Sequence, residues 1–135
     1  MLTFEIHGTP EPQKQTRKGK HGFYDPSHQR REQIRWQVKP HAPLDPLCGP
    51  IEVTIHFYMP IPKATTAARR RHMINNTLMH VVRPDVDNLS YLIVNALKDI
   101  VYKDDSQIVS LHIHKRYSED PKTVVQIKEL GQICL

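Results

Sequence analysis

Four aspartates carry the clearest chemical potential in this 135-residue chain. Asp85 and Asp87 stand one residue apart in Arg83-Pro84-Asp85-Val86-Asp87-Asn88-Leu89, and Asp104 and Asp105 are adjacent in Lys103-Asp104-Asp105-Ser106-Gln107. Carboxylates are hard oxygen ligands, and a small set of them that leaves coordination positions open suits Mg²⁺. A cation held this way can orient an attacking water and offset charge on a leaving phosphate oxygen. The acids lie in a basic chain, with 19 Lys plus Arg against 14 Asp plus Glu and a net charge of +5, a balance that favours a polyanionic partner. The same residues also admit a plainer reading as a turn residue, a helix cap and an acidic turn before a strand.

The segment between the two acidic pairs must position them. Leu89, Leu92, Ile93, Ala96, Leu97 and Ile100 recur at helical spacing, which predicts an amphipathic helix packed through that stripe. Asp87 reads as its N-cap, with Pro84 fixing the chain just before it. The opposite face carries Asp87, Tyr91, Val94, Asn95 and Lys98. A regular helix here would hold the two pairs roughly 20 Å apart. They can meet only if the following strand runs back along the helix or if a second protomer contributes.

The remaining elements form the frame. Alternation predicts strands at Leu2-Phe4-Ile6, Ile51-Val53-Ile55-Phe57, Ile108 to Lys115, and Thr123 to Lys128. A helix is expected from Ser27, its N-cap, to about Lys39, with Arg30, Arg31 and Arg35 facing either nucleic acid or solvent. Thr9 to Gly22 has no hydrophobic face and reads as a loop, either a solvated tether or a source of cations for phosphate. Ala64 to Asn76 is a polar, helix-compatible insertion carrying Arg69-Arg70-Arg71. The order β-α-β-loop-α-β-β predicts one α+β domain over residues 1–135, a mixed sheet backed by two helices. Cys48 and Cys134 have no metal-ligand spacing and are expected as reduced, packed thiols. No apolar run approaches the roughly 18 residues of a membrane span, and no signal-like segment is present, so a cytoplasmic, membrane-free setting is expected.

Taken together, Pro84-Asp85-x-Asp87-Asn88-Leu89, Asn95-Ala96-Leu97 and Tyr102-Lys103-Asp104-Asp105-Ser106-Gln107-Ile108 resemble the RusA-type Holliday junction resolvases of bacteria and their phages. Gly8-x-Pro10-x-Pro12-Gln13-Lys14 and Lys115-x-Tyr117 fit the same pattern, so the resemblance spans nearly the whole chain. It implies a homodimeric crossover junction endodeoxyribonuclease, dependent on Mg²⁺ with Mn²⁺ as a substitute, that makes paired nicks in four-way DNA during recombination and repair. By motif position it implies that Asp85, Asp87 and Asp105 are both the metal ligands and the catalytic residues, with Asp104 an accessory neighbour. Lys14, Arg17, Lys18, Arg69, Arg83 and Lys103 are the expected DNA-backbone contacts. Two departures stand out, Tyr91 in place of the family's lysine and Asn95 in place of its aspartate. Tyrosine cannot supply a lysine's cation. Either Lys14, Arg83 or Lys103 replaces it, or Tyr91 contacts a base or phosphate with slower or altered cleavage, or the chain is a catalytically weakened binder of branched DNA.

Overall fold

The computed structural model describes residues 1–131. Its main sheet has four strands: β1 (Leu2–His7), β4 (Ile51–Pro60), β5 (Ile108–Ser118) and β6 (Lys122–Glu129), in the order β1-β6-β4-β5. Strand β6 runs antiparallel to both β1 and β4, while β4 and β5 are parallel. The sheet is therefore mixed. A parallel pair needs a long crossover, and residues 61–107 provide it with two helices, α2 (Ala67–Ile74) and α3 (Val86–Leu97). Helix α1 (His28–Val38) connects β1 to β4, which run in the same direction with β6 inserted between them.

Period-two burial decides which face of the sheet is covered. Along β4, Ile51, Val53, Ile55, Phe57 and Met59 are buried and the residues between them are half-buried. The buried set joins Phe4, Ile6, Val125 and Ile127, and α1 and α3 close over it with Ile34, Val38, Leu89, Leu92, Ile93, Ala96 and Leu97. The expected stripe of α3 is thus the one that packs. Each fully buried leucine on it contributes about 1.5–3 kcal/mol relative to exposure. On the open face of the sheet His56 and His114 stack with ring centroids 4.8 Å apart.

Four local readings are corrected. Helix α3 begins one turn-half earlier than expected: the N-cap is Asp85, in an extended conformation, and its carbonyl accepts the first helical bond from Leu89 N at 3.1 Å. The loop Thr9 to Gly22 contains the first strand and the turn of a hairpin, β2 (Arg17–Gly19) and β3 (Gly22–Tyr24), turned by Lys20-His21. Gly22 makes this possible by adopting a φ of +112°. The α1 arginines are structural. Arg30 donates to His7 O, Arg31 pairs with Asp25, and Arg35 donates to Ala96 O and Lys98 O at the C-terminal end of α3. Finally, Cys48 is disulfide-bonded, not the reduced thiol expected; Cys134 lies outside the described residues.

No helix among the described residues is long and apolar enough to cross a membrane.

Candidate active site

The two acidic pairs occupy opposite ends of α3. Asp85 caps its N-terminus with no side-chain capping bond, and Asp87 lies in its first turn. Both are exposed, and neither carboxylate is engaged by a hydrogen bond or ion pair among the described residues. At the other end Lys98 is the C-cap, and its ammonium meets Asp104 Oδ1 at 2.9 Å. A helix of 12 residues spans about 18 Å. Strand β5 does run back beside α3, but Asp105 lies before it, at the far end. Among the described residues no group of three or more His, Cys, Asp or Glu side chains is placed to hold a metal ion.

The Asp85 end is built by three segments. Gln13 N donates to Asn88 O at 3.0 Å, which lays the N-terminal loop against the first turn of α3. Lys14 N donates to Ser27 Oγ at 2.8 Å, so Ser27 anchors that loop instead of making a side-chain cap for α1. Arg31 Nη1 donates to Gln13 Oε1 at 3.1 Å. A segment without a hydrophobic face is thereby held by polar bonds, and exposed Lys14 is carried to the acids. From the sheet, Lys115 Nζ donates to Val82 O at 2.8 Å and Pro84 O at 2.9 Å, holding the turn that presents Arg83 and Asp85. Two residues on, Tyr117 packs against buried His80 with ring centroids 4.7 Å apart. Burial first, and the Lys115 charge second, hold the His80 imidazole below its ordinary range.

The Asp105 end is a tight, hydrogen-bonded corner. Asp104 accepts from Ser106 N and its own N–H donates to Gln107 Oε1, a reciprocal capping box. Gln107 Nε2 then donates to Leu47 O at 2.8 Å and Gly49 O at 3.0 Å. The bonds from Ser106, together with Lys98, hold the Asp104 carboxyl far below the usual carboxylate range. Asp104 is thus occupied in holding the corner, while adjacent Asp105 is exposed. Burial, with the Asp105 charge second, pushes the Tyr102 phenol well above its usual range; its hydroxyl donates to Val94 O at 2.6 Å.

The expected phosphate contacts divide by location. Lys14 and Arg83 are at the Asp85 end, and Arg17 and Lys18 lie on the β2–β3 hairpin rooted beside it. Arg69 is exposed on α2, whose neighbouring Arg70 is paired with Glu119 at 3.6 Å. Lys103 sits at the Asp105 end, its N–H donating to Leu47 O, and so is remote from Tyr91's N-terminal neighbours. Tyr91 is 57% exposed on the outer face of α3. The role of Lys115 as the support of the acidic turn was not among the expectations; the signals available were the Lys115-x-Tyr117 motif and a lysine at an inward-facing position of a strand.

A sequence profile described as Endodeoxyribonuclease RusA matches residues 4–128. The chain belongs to the RusA endodeoxyribonuclease family. It is also similar to the uncharacterized protein YqaN of Bacillus subtilis (strain 168), at 30% identity across 96% of this chain and 97% of that one. The match to the RusA family covers every segment that builds the acidic site, from the N-terminal loop to β6.

Proposed function

We propose that this chain is a divalent-metal-dependent endonuclease that resolves four-way DNA junctions by paired nicks, acting in the cytoplasm as a homodimer. The observation that carries the reading is the pair of unengaged carboxylates, Asp85 and Asp87, at one end of an exposed helix face in a member of an endodeoxyribonuclease family. Their chemistry fits Mg²⁺ or Mn²⁺, but among the described residues no third carboxylate of the same chain joins them in a metal-holding group. A two-fold axis that sets the N-terminal end of one α3 beside the C-terminal end of its partner adds the partner's Asp105 to each pair. A single interface then completes two equivalent sites, as two coordinated nicks require.

When bound, the ion supplies a Lewis acid that activates water for attack on phosphorus and offsets charge on the leaving oxygen. The chain's own groups do the rest. Lys14 and Arg83 neutralise the phosphate presented to Asp85 and Asp87, and Arg17, Lys18, Arg69 and Lys103 hold the flanking backbone. Lys115 fixes the turn, and Asp104 keeps the corner that bears Asp105.

The test is cleavage of a synthetic four-way junction with Mg²⁺ or Mn²⁺, alongside duplex and single strands. Asp87→Asn should abolish nicking while junction binding survives; undiminished nicking would sink the assignment. The exposed Tyr91 supports a second reading, a weakened nuclease that chiefly binds branched DNA. Junction binding by the wild type without nicks at any metal concentration would favour it.

A further inference from the structure

The β2–β3 hairpin forms a separate two-stranded sheet that stands outside the core. All of Phe23, Tyr24, Arg17 and Lys18 are exposed, Phe23 by 78% and Tyr24 by 49%. Phe23 is the central residue of β3, stands outside the buried core, and is followed directly by the second exposed ring, Tyr24. Register places Lys18 opposite Phe23 and Arg17 opposite Tyr24. Directly opposite residues share a face, so each face of the ribbon presents one cation and one aromatic ring. Lys20 adds a further charge at the tip. The ribbon is also shaped around its rings: a Cβ on Gly19 would lie 3.0 Å from Tyr24 Cδ1, so the tyrosine ring lies against the glycine.

The ribbon is fixed at its root. Its outgoing leg ends at Asp25, which pairs with Arg31 and accepts from Ser27 N at 2.9 Å. Its incoming leg follows Lys14, held by Ser27, and Gln13, held by Asn88 in the first turn of α3. The root is therefore tied to the helix turn that contains Asp87.

We infer that this hairpin is a DNA-probing finger whose Phe23 stacks on an unpaired or unstacked base at a branch point, while Arg17, Lys18 and Lys20 hold the adjoining phosphates. A ring on a cationic ribbon is the combination that binds unstacked bases without reading sequence. In fully paired duplex every base face is already covered, so Phe23 finds a partner only where the helix is interrupted. The finger thereby makes recognition depend on structure, and its root conveys the branch to the acidic end of α3. The inference rests on the reading of this chain as a junction nuclease, but its test does not require cutting.

Binding is measured in EDTA with a four-way junction carrying 2-aminopurine at the branch point, a second junction with the probe placed within an arm, and a matched duplex. The wild type should change the fluorescence of the branch-point probe and leave the arm probe unaffected. Phe23→Ala should lose that change and weaken junction binding on the order of 5- to 150-fold, the span of one base–aromatic stack. Its duplex affinity should stay within about twofold, and Phe23→Trp should restore the signal. Because Phe23 is exposed, an unchanged melting temperature is expected for both variants. Equal junction affinity and equal probe response in Phe23→Ala and wild type would overturn the inference. Absence of nicks in Mg²⁺ with the probe response intact would overturn the nuclease reading alone.

Discussion

If each site is shared between protomers, two inactive variants should rescue one another when mixed. The geometry makes this a sharp test. Asp85 and Asp87 lie at one end of α3 and Asp105 beyond the other, about 18 Å along the axis, whereas the ligands of one Mg²⁺ lie about 2 Å from it. Asp87→Asn and Asp105→Asn should each be inactive alone. In a mixed dimer built across a two-fold, both changes fall in one site and the other site is intact. Equal mixing makes about half the dimers mixed, and each keeps one of two sites, so nicking should recover to about a quarter of the wild-type rate. The products should be single nicks without paired resolution. The assay is denature-and-mix or co-expression of the two variants, followed by nicking of a supercoiled cruciform plasmid, where nicked and linear products are resolved on a gel. No recovery from a confirmed heterodimer would refute the shared site, because sites confined to single chains are damaged in both protomers.

Three further outcomes are expected. Lys115→Met removes two charge-assisted bonds to the Val82 and Pro84 carbonyls; for a half-buried lysine this should cost about 1–3 kcal/mol in urea unfolding and lower kcat more than it raises KM. Stability should decline as pH falls below the ordinary histidine value of 6.5: burial lowers the folded-state pKa of both His56 and His80, so the unfolded chain binds protons first and the contribution present above 6.5 is lost on acidification. Melting temperatures from pH 7.5 to 5 check this, and His80→Phe should flatten the slope. Tyr91→Lys puts a cation one helical turn from Asp87 on the exposed face and should raise the nicking rate on a four-way junction; an unchanged rate would show that the tyrosine does not limit catalysis.

The amphipathic stripe of α3 and the alternation of β4 were legible because burial enforces periods of 3.6 and 2 on side chains. So were the helix between the acids and the distance it imposes, since both follow from residue count. The family motifs named the acids themselves. Local pattern could not show that Asp85, and not Asp87, caps α3, because capping depends on where the chain enters the helix. It could not find the β2–β3 hairpin either, since a ribbon that buries nothing leaves no hydrophobic period. The roles of Gln13, Lys14 and Ser27 were hidden for a related reason: their bonds join residues far apart in sequence, and polar pairing carries no periodic mark. Lys115 is the clearest case. Its position in β5 follows from alternation alone, but only the parallel pairing of β4 and β5 brings its ammonium to the carbonyls before Asp85. Residue types and their spacing thus determined which chemistry is available, while tertiary pairing decided which groups support it, because the supporting bonds are long-range.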